Sequence, residues 1–148
     1  MNKTKKGFTL IELLVVIAII ALLAAAIIVL VGLARKKARD SRRVNDLKEI
    51  QTALEMYNDD HGNYPTITAR SDQANWNNLQ SMLSKYLALV PKDPSSNRHY
   101  YVRSDGNNYL LCADLEARTD LEQGDGRNND WYELFSSRTV ISQNWICQ

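Results

Sequence analysis

The chain opens with a strongly one-sided pattern. From Leu13 to Ala34 it runs 22 residues without a charge. A helix of that length spans about 33 Å, enough to cross the hydrocarbon core of a bilayer. Lys3, Lys5 and Lys6 precede the run, and one carboxylate, Glu12, sits at its front edge. Beyond it, Val44, Leu47, Ile50, Leu54 and Tyr57 recur at steps of three and four, with Asp46, Lys48, Glu49 and Glu55 around them. That spacing continues the helix as an amphipathic one. The whole stretch from Phe8 to Asn58 reads as one rod of 51 residues, about 75 Å long. Asn58-Asp59-Asp60-His61-Gly62-Asn63 signals its end, and Tyr64-Pro65 forces extended backbone.

The remaining pattern predicts a small mixed domain. Trp76, Leu79, Met82, Leu83, Tyr86, Leu87 and Val90 mark a second amphipathic helix of about four turns, with Ser71 or Asp72 at its entrance. Pro91-Lys92-Asp93-Pro94 ends it in a rigid turn. Strands follow at His99 to Arg103 and Tyr109 to Ala113, joined by Asp105-Gly106-Asn107-Asn108, whose residues accept the positive φ of a hairpin turn. A third strand is expected around Thr139 to Ser142. The expected fold class is α+β, with the stripe of the long helix covering one face of a small antiparallel sheet. The domain order is a basic start at residues 1–7, a hydrophobic helix at 8–34, its amphipathic continuation at 35–58 and a globular domain at 59–148.

Charge distribution narrows the partners. Net charge is +1, yet from Val44 onward there are 9 basic and 15 acidic residues. An acidic soluble part argues against nucleic acid as its main partner. The basic residues cluster instead at Arg35, Lys36, Lys37, Arg39, Arg42 and Arg43, beside the apolar run. That cluster has three readings: contact with lipid headgroups, pairing with neighbouring acidic residues, or DNA binding. Two cysteines, Cys112 and Cys147, enclose 34 residues. Outside the cytoplasm they read as one disulfide, and in a reducing compartment as two thiols. A secretory signal fits poorly, because the apolar run is longer than such signals need and leads straight into more helix.

Gly7-Phe8-Thr9-Leu10-Ile11-Glu12, behind a lysine leader and ahead of a hydrophobic helix, resembles the type IV prepilin signature. The resemblance implies that a prepilin peptidase cuts between Gly7 and Phe8 on the cytoplasmic side and methylates the new amine of Phe8. A residue without Cβ lets an enzyme close tightly on the backbone at Gly7. Glu12 would then meet the Phe8 amine of a neighbouring subunit, offsetting the cost of an acid in the bilayer. The plainer reading leaves Glu12 at a helix N-terminus that tolerates an acid. The lysine and arginine count on the two flanks favours the opposite membrane orientation; the leader and the cysteines place the N-terminus inside. The resemblance departs at Val29, where many family members carry a proline, so a continuous helix is expected here.

Ala53-Leu54-Glu55-Met56-Tyr57, Gly62-Asn63-Tyr64-Pro65-Thr66 and Val90-Pro91-Lys92-Asp93-Pro94 look like the major pseudopilin of type II secretion systems. This implies a non-enzymatic subunit of a homopolymeric filament in the type IV pilin superfamily. Its implied partners are copies of itself, minor pilins, the prepilin peptidase, membrane lipid and a membrane assembly platform with its ATPase. The C-terminal cysteine is closer to the disulfide-closed end of true type IV pilins. The filament would push secreted proteins, adhere, pull or take up DNA. The rival class is a bitopic membrane-anchored extracytoplasmic binding module, which needs neither cleavage at Gly7 nor Glu12.

The segment from Asp120 to Asp130 is acidic and glycine-rich, and oxygen donors on such a loop suit Ca²⁺. Its candidate ligands are Asp120, Asp125, Asn128 and Asp130, since major pseudopilins hold calcium in this region. The alternative is a solvated polar loop. His61 and His99 lack metal-ligand spacing, and no catalytic frame or phosphate cradle is recognisable. Trp131, Tyr132, Leu134 and Phe135 read as core or intersubunit packing.

Overall fold

The computed structural model describes residues 7–117 and 131–136. The element order is α1 (Leu10–His61), β1 (Ile67–Arg70), α2 (Asn75–Leu83), β2 (Tyr100–Ser104), β3 (Tyr109–Asp114) and β4 (Trp131–Phe135). The four strands form one antiparallel sheet in the order β1-β2-β3-β4. The chain divides into two compact units, with the boundary between Lys36 and Lys37.

In the first unit, α1 is apolar all round and its described side chains are exposed. A helix of this kind belongs in lipid or in a bundle. It is long and apolar enough to cross a membrane. Helix α1 runs through Gly32 without interruption, as the lack of a proline leads one to expect.

In the second unit, the later turns of α1 become amphipathic. Val44, Leu47, Ile50, Ala53 and Leu54 are buried in a core shared with Tyr100, Val102, Tyr109 and Leu111 of the sheet and Trp76, Leu79 and Leu83 of α2. Full burial of each large aliphatic side chain contributes about 1.5–3 kcal/mol. The helix stops at Gly62, whose φ of 74° is left-handed and whose amide donates to the Asn58 carbonyl at 2.7 Å. A glycine adopts that conformation without the Cβ penalty, so the last turn closes on itself.

The sheet alternates cleanly between two faces. Tyr100, Val102, Tyr109, Leu111, Ala113 and Tyr132 join the main core. Leu110 and Cys112 form a second cluster on the far face with Tyr101, Trp131 and Phe135. The aromatic segment 131–135 is therefore a strand that divides its side chains between both faces. The β2–β3 hairpin falls where its turn residues indicate, with Gly106 at φ 94°. Asn75 protects the sheet's first edge: its amide donates to the Thr68 carbonyl at 2.6 Å and its oxygen lies 3.5 Å from the Arg70 amide. This mimics a neighbouring strand and blocks edge pairing.

Three expectations need correction or placement. Helix α2 has 9 residues, shorter than the periodicity indicates. Val90 precedes Pro91, which disfavours helical backbone there, and the Gln80 side chain takes over, accepting from the Val90 amide. Neither Ser71 nor Asp72 caps α2: Ser71 Oγ accepts from the Tyr100 amide at 3.0 Å, and Asp72 is bound by Arg70. The strand expected at Thr139 to Ser142 lies outside the described residues, while β1 and β4 are additions.

Candidate processing and assembly site

The N-terminal start of α1 is built from Thr9 and Glu12. Thr9 donates its amide to Glu12 Oε2 at 2.9 Å and its hydroxyl to the same oxygen at 2.6 Å. In return the Glu12 amide donates to Thr9 Oγ1 at 3.3 Å. This is a reciprocal capping box, which satisfies orphan amides at a helix N-terminus. Its Thr-x-x-Glu spacing was present in the sequence, and that signal could have shown that Glu12 has a local partner. Phe8, Ile11, Glu12, Val15 and Val16 line one shallow groove on this face. Phe8 is 78 % exposed. A Cβ added at Gly7 would meet nothing within 4 Å, so this fold does not itself require glycine there.

The basic cluster after the apolar run is resolved by geometry. The Arg43 side chain is fully buried and donates Nη1 to Asp40 at 2.7 Å. It also grips Asp93 with Nε at 2.7 Å and Nη2 at 2.9 Å, and Nη2 reaches Glu116 Oε1 at 2.8 Å. Arg39 holds Glu116 through both Nε, at 2.8 Å, and Nη2. Asp40 accepts in addition from the backbone amides of Glu116 at 2.9 Å and Ala117 at 2.7 Å. Burial alone would depress the Arg43 guanidinium, but its bonds to Asp93, Glu116 and Asp40 outweigh that and push it above the usual arginine value. Arg39 first, and then Arg43, pull the Glu116 carboxyl down to about 2 against the effect of burial. Intersubunit pairing is thus excluded for Arg43, whose donors are engaged within its own chain. Arg42 remains exposed, 3.8 Å from Asp46.

Further along α1, buried Asp46 and half-buried Glu55 tie the sheet to the helix. Tyr100 donates its hydroxyl to Asp46 at 2.6 Å. Tyr109 and Tyr64 donate to the two oxygens of Glu55 at 2.7 and 2.9 Å, and Gln51 donates to the Tyr109 oxygen at 2.8 Å. Burial, then donation to Glu55, raises the Tyr64 hydroxyl to about 12. Cys112 is buried on β3 and disulfide-bonded. Cys147 lies outside the described residues, as do Asp120, Asp125, Asn128 and Asp130. No metal-holding group of acids, histidines and cysteines occurs among the described residues.

These features match known proteins over most of the chain. The prokaryotic N-terminal methylation motif matches residues 2–28, and type II secretion system protein G matches residues 31–130. This chain belongs to the type II secretion system protein G family. It is 29 % identical to type II secretion system core protein G of Vibrio cholerae serotype O1, covering 88 % of this chain and 93 % of that protein. Against core protein G of Pseudomonas aeruginosa it is 32 % identical, covering 68 % and 75 %. It is 48 % identical to the type IV wide pilus major component PilA4 of Thermus thermophilus, covering 75 % and 74 %. No solved structure matches the chain. A protein G family member with this methylation motif is a structural pilin-type subunit that assembles with other such subunits, and its leader implies processing by a peptidase.

Proposed function

We propose that this chain is the major filament-forming subunit of a type II secretion pseudopilus, cut between Gly7 and Phe8 and methylated on Phe8. The observation that carries this reading is Glu12. It is the one acid at the front of an unbroken apolar helix, placed behind a processing motif. In an assembled bundle the carboxylate would exchange its Thr9 donors for the Phe8 amine of a neighbouring copy. Pairing of that kind is satisfied only between subunits, so it favours both association and axial register. Before assembly the chain would sit in the cytoplasmic membrane with its N-terminus inside and its globular unit outside. The prepilin peptidase, a platform with its ATPase, minor pilins and lipid are the partners this life cycle requires.

In that compartment Cys112 and Cys147 would form the disulfide. Asp120, Asp125, Asn128 and Asp130 offer an all-oxygen donor set suited to Ca²⁺. Millimolar calcium should raise the thermal midpoint of the purified chain, and an unchanged midpoint would remove the metal from this reading.

A retractable or adhesive pilus is a second reading, favoured by the 48 % identity to the wide pilus component. Intact mass and N-terminal sequencing of the chain from membranes, with and without a prepilin peptidase, test the class. A chain beginning at methylated Phe8 supports either filament. A chain still beginning at Met1 supports a plain membrane-anchored module.

A further inference from the structure

At β1 the sheet's edge is closed by a side chain and a turn. Ile67 and Ala69 face β2, opposite Ser104 and Val102. Ser71 continues that side, donating its amide to the Tyr100 carbonyl at 3.0 Å. The alternate residues, Thr68 and Arg70, therefore turn their backbone groups outward. The Thr68 carbonyl accepts from the Asn75 side chain at 2.6 Å, and the Arg70 amide lies 3.5 Å from the Asn75 oxygen. The Arg70 carbonyl accepts from the Gln73 amide at 3.0 Å. The Thr68 amide has no partner among the described residues, and Thr68 is exposed.

This closure is made at a poorly satisfied point. Helix α2 begins at Asn75, and Ala74 before it supplies no side-chain cap. Asn75 itself spends its side chain on β1. Trp76, the next residue, is 1 % exposed, and its Nε1 has no hydrogen-bond partner. No other buried side-chain nitrogen or oxygen among the described residues is left in that state. A missing cap and an orphaned donor both raise the energy of the closed arrangement. The Arg70 contact is also long for a hydrogen bond. The short bond from Asn75 to Thr68 is what chiefly keeps this edge from pairing.

We propose that the β1 edge is a latent docking strand for the β1 edge of a second copy, and that Asn75 holds it shut. Run antiparallel about Ala69, the two edges are self-complementary. Thr68 of each copy meets Arg70 of the other, and each such pair exchanges both backbone bonds. The Arg70 carbonyl has a second lone pair for the new bond. No like charges stand directly opposite, because Arg70 faces Thr68 and is bound by Asp72 of its own chain at 2.7 Å. A two-fold contact of this kind closes on two copies and does not propagate. It joins chains side to side, and the native chain avoids it as an open edge is generally avoided. It needs only the folded globular unit, so it stands apart from the filament reading.

The test compares the native full chain in detergent with N75A and N75A/T68P. Sedimentation gives the mass of each, and amide exchange reports on residue 68. N75A should pair at concentrations where the native chain does not. As it pairs, its Thr68 amide should exchange about tenfold more slowly, the scale of one added hydrogen bond. Proline at 68 removes the outward N–H and is tolerated on an edge strand. N75A/T68P should therefore return to the native mass. Should that variant fail to fold, the concentration dependence of Thr68 exchange in N75A decides alone. A native mass for N75A, with exchange at Thr68 independent of concentration, would overturn the proposal. Association that persists in folded N75A/T68P, or that leaves the Thr68 amide unprotected, would overturn it too, since the contact would then lie elsewhere.

Discussion

Arg43 and Asp40 lie three residues apart on α1, bonded at 2.7 Å, with both side chains fully buried. Through that pair the helix holds two separate loops. Arg43 grips Asp93 in the Pro91–Pro94 turn, while Asp40 accepts the amides of residues 116 and 117 just after β3. A buried charge without its partner is costly. Arg43→Ala should therefore destabilise the globular unit by about 3–5 kcal/mol. Arg43→Glu should prevent folding altogether. Chemical unfolding of the full chain in detergent, followed by tryptophan fluorescence, would read the loss. Arg42→Glu should be nearly neutral for folding, since its side chain is 65 % exposed.

Acid should weaken the same network in a defined window. The Glu116 carboxyl sits at about 2 in the fold, against an ordinary value of 4.5. A folded value below the unfolded one gives stability that is fully present above the unfolded value. It is lost as pH falls through the folded value. Stability should thus decline from about pH 4.5 down to about pH 2, steeply enough to follow in urea midpoints. Glu116→Gln should lower stability at pH 7 and flatten that decline. An unchanged acid profile in the variant would assign the slope to other carboxylates.

Much of this structure is legible in the sequence because its signals are long or local. The stripe Val44, Leu47, Ile50, Leu54 has helical spacing, and all four side chains are buried. The Asp105–Asn108 turn names its own hairpin. The missed elements lack such signals. The β1 segment Ile67–Arg70 has only 4 residues and holds one fully buried side chain, Ala69, so alternation is faint. The aromatic run at β4 serves two faces at once, which hides its period. Helix α2 looked longer because Tyr86, Leu87 and Val90 keep helical spacing while packing on the core from a loop. The ion network was invisible because its members come from three distant segments. Charge counting placed Arg39 and Arg43 in one basic cluster, and only the fold shows that Arg43 is buried and that Arg39 is paired with Glu116.

The hairpin makes a sharp local prediction. Gly106 has a φ of 94°, and a Cβ placed there would sit 3.3 Å from Thr66 Oγ1. Gly106→Ala combines backbone strain with a tight contact and should cost about 1–3 kcal/mol. Asn at the same position tolerates positive φ better and should recover part of that loss. Paired thermal midpoints of the two variants would check the ranking.

Cys112 is buried and disulfide-bonded at the centre of the far-face cluster with Tyr101, Trp131 and Phe135. Its thiol should resist alkylation in the folded chain until a reductant and a denaturant are both present. Under the proposed pairing with Cys147, Cys112→Ser should lower stability by about 3–4 kcal/mol, the scale for closing a loop with 34 residues between the cysteines. A variant as stable as the native chain would show that the cluster alone holds this face of the sheet.

Glu12 and Thr9 separate helix capping from assembly. Among the described residues, the Glu12 side chain bonds to Thr9 alone, and both are exposed. Glu12→Ala should leave the globular unit's thermal midpoint unchanged, because that unit is built from residues beyond Lys36. It should nevertheless abolish filaments if the carboxylate is needed by a neighbouring subunit. Thr9→Ala removes the cap but keeps the carboxylate, loosening the first turn by about 1 kcal/mol. That variant should still be processed and still assemble, with reduced yield. Equal loss of filament in the two variants would mean that the capped turn, not the free carboxylate, is what assembly reads. Normal filaments from Glu12→Ala would instead return the N-terminal helix to the role of a plain membrane anchor.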